Sequence, residues 1–274
     1  MTDMLRFDDV LKAADGGLNG SLDRLFQLLR FPSIGTDPAH AADCRAAATW
    51  LKDALAGLGF TARVRETTGQ PAVVATSPKV RSAPHILFYG HYDVQPADPL
   101  NLWKSPPFAP AIRKGKDGRK SIFARGACDD KGQLMTFLEA LRVWRDVKGA
   151  LPFRLTVLLE GDEEGDASHL DRFLEKHRKE FKADVAFICD TDLWNDTTPG
   201  IITMLRGSIG EEVRINGPRI DLHSGYYGGP AVNPIKVLSR VIAELHDKNG
   251  RIAIPVSMMV SKHPRRHAAP SGRS

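Results

Sequence analysis

Three observations predict an α/β fold. In this fold a mostly parallel sheet is flanked by helices and is followed by the start of a smaller α+β domain. Short apolar runs alternate with amphipathic segments from about residue 60 to residue 190, as in parallel strands joined by crossover helices. The 274 residues are 42% hydrophobic and 26% charged, which is ordinary for a globular chain that buries a substantial core. After about residue 205 the alternation ends.

The elements are assigned in chain order from their periodicity and their end signals. Ser21 suits the N-cap of a first helix, SLDRLFQLLR, and a second helix is predicted from about His40 to Leu58, ending at Gly59. Strands are predicted in FTARVRE, PAVVATS, HILFYG, SIFA, FRLTVLLE and DVAFICD, and helices in DKGQLMTFLEALRVWRDV and SHLDRFLEKHRKEF. The smaller domain is expected to contain a half-exposed strand SIGEEVRING, a loop GYYGGP and an amphipathic helix PIKVLSRVIAELHDK.

Charge and composition argue against nucleic-acid and membrane binding. The net charge is +5, but the last fourteen residues contain four basic side chains and no acid, which leaves +1 for residues 1–260. A basic tail is not a basic face. No apolar run reaches the roughly 20 residues that span a bilayer, and MTDMLRFDDV lacks the pattern of a secretory signal. The three cysteines are odd in number and far apart, which favours reduced thiols and a cytoplasmic location.

Carboxylates crowd the end of one strand predicted to be buried. The segment LTVLLEGDEEGD passes from an apolar run to five acids within seven residues: Glu160, Asp162, Glu163, Glu164 and Asp166. Repulsion and desolvation both oppose such crowding in a core. Either the segment is a solvated loop, or a bound cation offsets the charge.

Other strand ends carry ligand-type residues as well. His91 and Asp93 follow HILFYG, Asp190 follows VAFIC, and the pair Asp129–Asp130 follows SIFA and opens a helix. Each motif alone is more often a turn, a helix cap or a core histidine. Together they favour a metal site, because functional groups of such sheets gather beyond the carboxyl ends of the strands. One histidine among carboxylates suits Zn²⁺, Mn²⁺ or Co²⁺ better than Ca²⁺ or Mg²⁺.

Five motifs in succession resemble those of one enzyme family. GHYDVQP, RGACDDKGQL, LLEGDEE, ICDTD and DLHSGYYGG are similar to motifs of the dinuclear zinc metallopeptidases related to carnosinase, glutamate carboxypeptidase, aminoacylase and succinyl-diaminopimelate desuccinylase. Their order and spacing match from about residue 20 to about residue 255. DLHSGYYGG and WKSPPF bring the resemblance nearest the carnosinase-like dipeptidases.

The resemblance implies a set of metal ligands. His91 corresponds to the imidazole ligand of the first metal, and Asp93 to the group that orients this ring. Asp129 corresponds to the carboxylate that bridges both metals, Glu164 to a ligand of the second metal, and Asp190 to the remaining ligand of the first. The implied cofactor is Zn²⁺, two per chain in the family, with Mn²⁺ or Co²⁺ as alternatives.

Three further features are implied by the same resemblance. Glu163 corresponds to the general base of metal-assisted amide hydrolysis. His223 corresponds to a lid histidine that reaches substrate in a partner subunit's active site. The peptide bond between Asp129 and Asp130 is expected to be cis.

The implied function is metal-dependent hydrolysis of an amide bond in a dipeptide or small peptide, by a homodimer. Two alternatives remain: an N-acyl amino acid deacylase, or a catalytically dead dimerising remnant. Neither a nucleic-acid nor a membrane partner is expected.

The chain departs from the family pattern near its end. Relatives have one more histidine ligand, late in a longer chain, and His246, His263 and His267 do not stand in that motif's context. In relatives, the segment after the position of Pro255 resembles Gly-Phe-Tyr-Asp-Gly, whereas this chain continues with Val-Ser-Met-Met-Val. Codons for Val-Ser-Met-Met-Val can encode Gly-Phe-Tyr-Asp-Gly when they are read in a reading frame shifted by one nucleotide. We therefore expect residues 1–205 to form an incomplete metal-binding catalytic domain, residues 206–255 the start of a lid or dimerisation domain, and residues 256–274 an out-of-frame basic tail. The second metal site is expected to be impaired, and activity weak or absent.

Overall fold

The computed structural model describes residues 7–115, 117–166, 168–195, 197–207 and 210–254. The chain divides into two compact units, Met1–Ile202 and Thr203–Ser274. The predicted basic tail, residues 256–274, lies outside the described residues. The assignment of residues 206–255 to a lid stays a prediction.

The first unit contains five α-helices and seven strands among its described residues. In chain order these are α1 (Asp8–Gly16), α2 (Leu18–Leu29), α3 (Ala41–Gly57), β1 (Thr61–Arg65), β2 (Ala72–Thr76), β3 (His85–His91), β4 (Ala111–Lys114), β5 (Lys120–Phe123), α4 (Lys131–Lys148), β6 (Arg154–Glu160), α5 (Ser168–His177) and β7 (Val185–Ile188). The main sheet has the order β1-β2-β6-β3-β7, and β4 and β5 form a separate hairpin.

The main sheet combines parallel and antiparallel pairing. Strand β3 runs parallel to both β6 and β7, whereas β1 and β2 pair antiparallel with each other and β2 pairs antiparallel with β6. The predicted α/β class, with a sheet flanked by helices, is confirmed, but the sheet is not mostly parallel, since two of the four pairings between its described strands are antiparallel. Its parallel part consists of the three strands whose ends were predicted to carry the site.

Helices cover both faces of strand β6, which explains why its sequence from Leu155 to Leu159 is apolar except for Thr156. Leu155, Val157 and Leu159 pack in the larger core cluster together with buried residues of α3 and α4, such as Leu51 and Leu134. On the opposite face, Leu158 packs with Ala72, Val74 and Phe173, the last of these from α5. The sheet is therefore fixed from both sides close to the strand ends.

In the first unit, two predicted elements differ in position or pairing from the sequence-based expectation, and α1 and β4 were not predicted. Helix α2 begins at Leu18, not after Ser21, because α1 precedes it directly and Gly17 stands at the junction. Ser21 is thus inside the helix, and its hydroxyl donates to Glu139 Oε2 at 2.9 Å. The strand predicted in SIFA forms, as β5, but it pairs only with β4 and lies outside the main sheet.

The second unit contains two helices among its described residues, α6 (Ser224–Tyr227) and α7 (Pro234–Glu244). Helix α7 confirms the helix predicted there, and Asn233 caps it by accepting from the amide of Ile235 at 2.8 Å. The predicted strand SIGEEVRING is wrong for its described part, residues 210–217, which form no strand. Alternation alone does not make a strand; a ladder partner is also needed. GYYGGP, predicted as a loop, begins inside the short helix α6.

Across the described ranges, no helix has both the length and the apolar content needed to cross a membrane.

Candidate metal centre

Three parallel strands bring the predicted ligands to one edge of the sheet. His91 is the last residue of β3 and lies opposite Glu160, the last residue of β6. Asp190 follows β7 after Cys189, whose amide donates to Tyr89 O at 3.2 Å and so extends the pairing with β3. Because parallel strands end at the same edge, their following residues converge there.

The His91 ring is fully buried and is contacted on both sides by carboxylates. Its Nδ1 lies 3.3 Å from Asp93 Oδ1 and 3.2 Å from Asp93 O. Its Nε2 faces Asp129 Oδ1 at 3.0 Å and Asp190 Oδ2 at 3.8 Å. A neutral imidazole held at Nδ1 by a carboxylate presents Nε2 as a metal ligand.

Asp93 also holds the acidic turn, which we define as residues 162–165. Its buried carboxylate accepts the amide of Glu163 at 3.2 Å and the amide of Glu164 at 3.0 Å. Gly35 packs so closely that an added Cβ would lie 2.7 Å from Asp93 Oδ2. Asp93 thereby joins the histidine of β3 to the two glutamates that follow β6.

The structure brings most, but not all, of the predicted ligands together. Possible ligand atoms of His91, Asp190 and Glu163, the last of which was predicted as the base, all lie within 4.8 Å of one another. Asp129 contacts the His91 ring. Glu164 is directed elsewhere, since its Oε2 accepts from Gln95 Nε2 at 2.8 Å. The predicted first-metal residues are thus assembled around His91, whereas the predicted second-metal ligand is engaged by a neighbouring amide.

The carboxylates of the cluster carry more negative charge than the nearby positive groups balance. Burial and neighbouring carboxylates raise the pKa of Glu163 and of Asp190, and burial raises the pKa of Asp130 to about 7. Burial opposes charging of the His91 ring, but the hydrogen bond and charge of Asp93 outweigh it and raise its pKa to about 10. A divalent cation would relieve the repulsion among these carboxylates and keep them ionised.

The residues present fit a divalent metal. The donors are one imidazole nitrogen and several carboxylate oxygens, a set that zinc accepts. In the part of the chain that the structure describes, Asp130 Oδ1 is buried without a hydrogen-bond partner, while its Oδ2 accepts the His91 amide at 3.0 Å. The Asp129–Asp130 peptide is cis, as the resemblance implied.

His223 lies in the second unit. Its Nδ1 accepts the amide of Gly225 at 3.0 Å, which caps α6, and its ring packs against Tyr226 with centroids 5.1 Å apart. Its contact with substrate stays a prediction.

The contacts of three supporting residues were not predicted from the sequence. Asp130 binds the His91 amide, Gln95 binds Glu164, and Lys131 is fully buried, donating to Phe31 O at 2.7 Å and Leu28 O at 3.3 Å. Burial lowers the pKa of Lys131 to about 7. Gln95 and Lys131 stand inside the quoted motifs, but sequence spacing does not show which backbone groups a side chain reaches.

Comparisons with known proteins agree with the resemblance that the motifs indicated. The family model described as Peptidase family M20/M25/M40 matches residues 87–263. The chain is 33% identical over 250 residues to a Cys-Gly metallodipeptidase of Candida albicans, a match that covers 85% of this chain and 51% of the relative. It is 32% identical over 172 residues to a Beta-Ala-His dipeptidase of Homo sapiens, which covers 62% of this chain and 33% of the relative.

A solved structure shares the fold. The dipeptidase Dug1p from Saccharomyces cerevisiae matches with a TM-score of 0.72 at 23% identity, over 95% of this chain and 57% of that chain. The chain spans about half the length of the curated Cys-Gly dipeptidases that it matches.

Proposed function

Because the chain belongs to the peptidase family M20/M25/M40, as its motifs predicted, we propose that it acts in metal-dependent hydrolysis of the amide bond of a dipeptide. One observation carries the proposal: ligand atoms of His91, Glu163 and Asp190 lie within 4.8 Å of one another. The Cys-Gly and Beta-Ala-His dipeptidases among its relatives support a dipeptide as the substrate class.

The proposed cofactor is zinc. His91, Asp129 and Asp190 would hold a first ion, and Asp129 with Glu164 a second. When bound, the metal polarises the scissile carbonyl and makes water more acidic. The second ion has fewer protein ligands in this chain and is expected to bind more weakly.

Glu163 is proposed to move the proton. Burial raises the pKa of its carboxyl above the ordinary value, so the carboxylate is a stronger base than one in water. It takes a proton from the attacking water at a carboxylate oxygen and delivers it to the leaving amine nitrogen. Asp93 holds the Glu163 amide at 3.2 Å and limits the movement of the base.

Two further features belong to the proposal. A homodimer, with His223 contributing to a partner's active site, follows from the motif resemblance. A cytoplasmic location agrees with the three cysteines, which are all free.

The test is metal titration of the 274-residue chain, followed by assays with a panel of dipeptides. We expect about one tightly bound divalent metal per chain, loss of this binding in His91→Ala, and slow dipeptide hydrolysis at most. His40→Ala, which changes a histidine paired with Asp43 at the start of α3, is the matched control and should keep the metal. A chain that binds no divalent metal would contradict the proposal.

A further inference from the structure

One carboxylate of the acidic turn has no part in the proposed metal centre. Asp162 is 6% exposed, and its Oδ2 contacts Nδ1 of His169, the second residue of α5. Its main-chain carbonyl accepts the amide of Gly165 at 3.2 Å, which closes the turn. Asp162 therefore links the start of α5 to the segment that carries Glu163 and Glu164.

The contact between Asp162 and His169 is tightly enclosed. An added Cβ at Gly165 would lie 2.6 Å from Asp162 Oδ1, and an added Cβ at Gly69 would overlap both Asp162 Oδ2 and the His169 ring. The carboxylate has little room to take another position. On its other side, the His169 ring approaches Asp166, with Nε2 3.7 Å from Oδ2.

His169 is held by a helix that is anchored in the core. Asp166 caps the start of α5 by accepting the Ser168 amide at 2.9 Å, and its carbonyl accepts the His169 amide at 3.0 Å. Further along α5, Phe173 is buried against Ala72. A rigid helix therefore fixes the His169 ring, which fixes Asp162.

The acidic turn is thus held from two sides. Asp93 binds the amides of Glu163 and Glu164 from the side of the proposed metal centre, and His169 binds Asp162 from the side of α5. Rotation of the turn would displace both glutamates. Side chains that hold a ligand-bearing segment tune metal affinity without touching the metal.

We propose that Asp162 and His169 are a positioning pair, which fixes the backbone of the acidic turn and thereby the positions from which Glu163 and Glu164 can reach the metal centre. This inference rests on the proposed function, because it assigns the pair a role in metal binding. Neither residue is a metal ligand or a catalytic residue. They act by holding the acidic turn in place before a metal binds to the proposed metal centre.

The experiment compares Zn²⁺ and Co²⁺ affinity in three variants of the whole chain. His169→Ala removes the contact, and we expect about tenfold weaker binding of the second ion, because its proposed ligand Glu164 lies on the turn. The first ion, which has no proposed ligand on the turn, should bind as before. His169→Asn places an amide nitrogen close to the position of Nδ1, so it should restore most of the affinity. His40→Ala removes a comparable histidine–aspartate contact, Nδ1 to Asp43 Oδ2 at 2.7 Å at the start of α3, and should leave the affinity unchanged.

The thermal midpoint of each metal-free variant shows whether it is folded. The side chains of His169 and His40 are 23% and 30% exposed, so the two alanine variants remove histidines of similar burial and should unfold at similar temperatures. Wild-type affinity in a folded His169→Ala, or equal weakening in His169→Asn or His40→Ala, would overturn the positioning role while leaving the proposed function intact. Absence of metal binding by the unmodified chain would overturn both.

Discussion

At the scale of single residues, the sharpest expectation concerns Glu163. Glu163→Gln removes a proton acceptor but keeps the size of the side chain, and it leaves the bond from the backbone amide of residue 163 to Asp93 in place. Hydrolysis in the active protein should fall by about 10²–10⁴-fold, while the first metal stays bound through His91, Asp129 and Asp190. Activity and metal content are to be measured on the same preparation.

The matched control for this change is Glu175→Gln, which alters an exposed glutamate on α5. It should leave both activity and metal content unchanged. If Glu163→Gln stayed as active as the control, another group would have to be the base.

The convergence of candidate site residues could be predicted from the sequence, but their individual contacts could not. His91, Asp129 and Asp190 stand at the ends of recognisable strands or at the start of a helix, so their convergence follows from the order of elements. Glu164 shows where this reasoning stops. Its engagement by Gln95 depends on the rotamers of two side chains that lie 69 positions apart.

At the scale of elements, helices α2 and α4 are joined by a half-enclosed network around Glu139. Its carboxylate accepts from Arg24 Nε at 2.6 Å, from Arg24 Nη2 at 2.5 Å and from Ser21 at 2.9 Å. Burial raises the pKa of Glu139, but the bonds and charge of Arg24 and Ser21 outweigh it, and the net pKa is lowered. The ionised form is therefore favoured by folding.

This lowered pKa predicts a loss of stability in acid. A carboxyl whose pKa is lower in the folded state stabilises the fold above its unfolded pKa, about 4.3 for glutamate, and the contribution is lost as the pH falls through the folded pKa. Glu139→Gln should cost about 1–3 kcal/mol at pH 7 and flatten the decline below pH 4.3. Urea unfolding at pH 7 and at pH 3 measures both effects.

The exposed pair of Arg45 and Glu66 provides the comparison. Their side chains are 54% and 68% exposed, with Nη1 2.8 Å from Oε1, and such pairs contribute about 0–1 kcal/mol. Glu66→Gln should therefore have little effect. If Glu66→Gln and Glu139→Gln lowered the free energy of unfolding equally, the network between α2 and α4 would contribute no more to stability than an exposed ion pair.

At the scale of the whole molecule, the fold class could be predicted because one strong signal repeats. Each strand of the parallel part, β3, β6 and β7, is an apolar run followed by polar residues, and helices α4 and α5 lie between them in sequence. In the second unit the sequence pattern predicted secondary structure less well. Residues 210–217 alternate like a strand but form none, because alternation reports a possible apolar face and does not supply a partner to pair with.

Strand β7 leads to a last prediction, on association of the chain. It lies at the edge of the main sheet and, among the described residues, pairs only with β3. Val185, Phe187 and Ile188 are about half exposed. An apolar edge strand with unpaired backbone groups favours pairing with another chain, so concentration-dependent association is expected in sedimentation experiments.

Val185→Lys, which adds charge to the edge formed by β7, should reduce this association. Val147→Lys makes the same change at an exposed position near the end of α4, outside the sheet, and should not. Equal sedimentation of the two variants would exclude the edge of β7 as the associating surface.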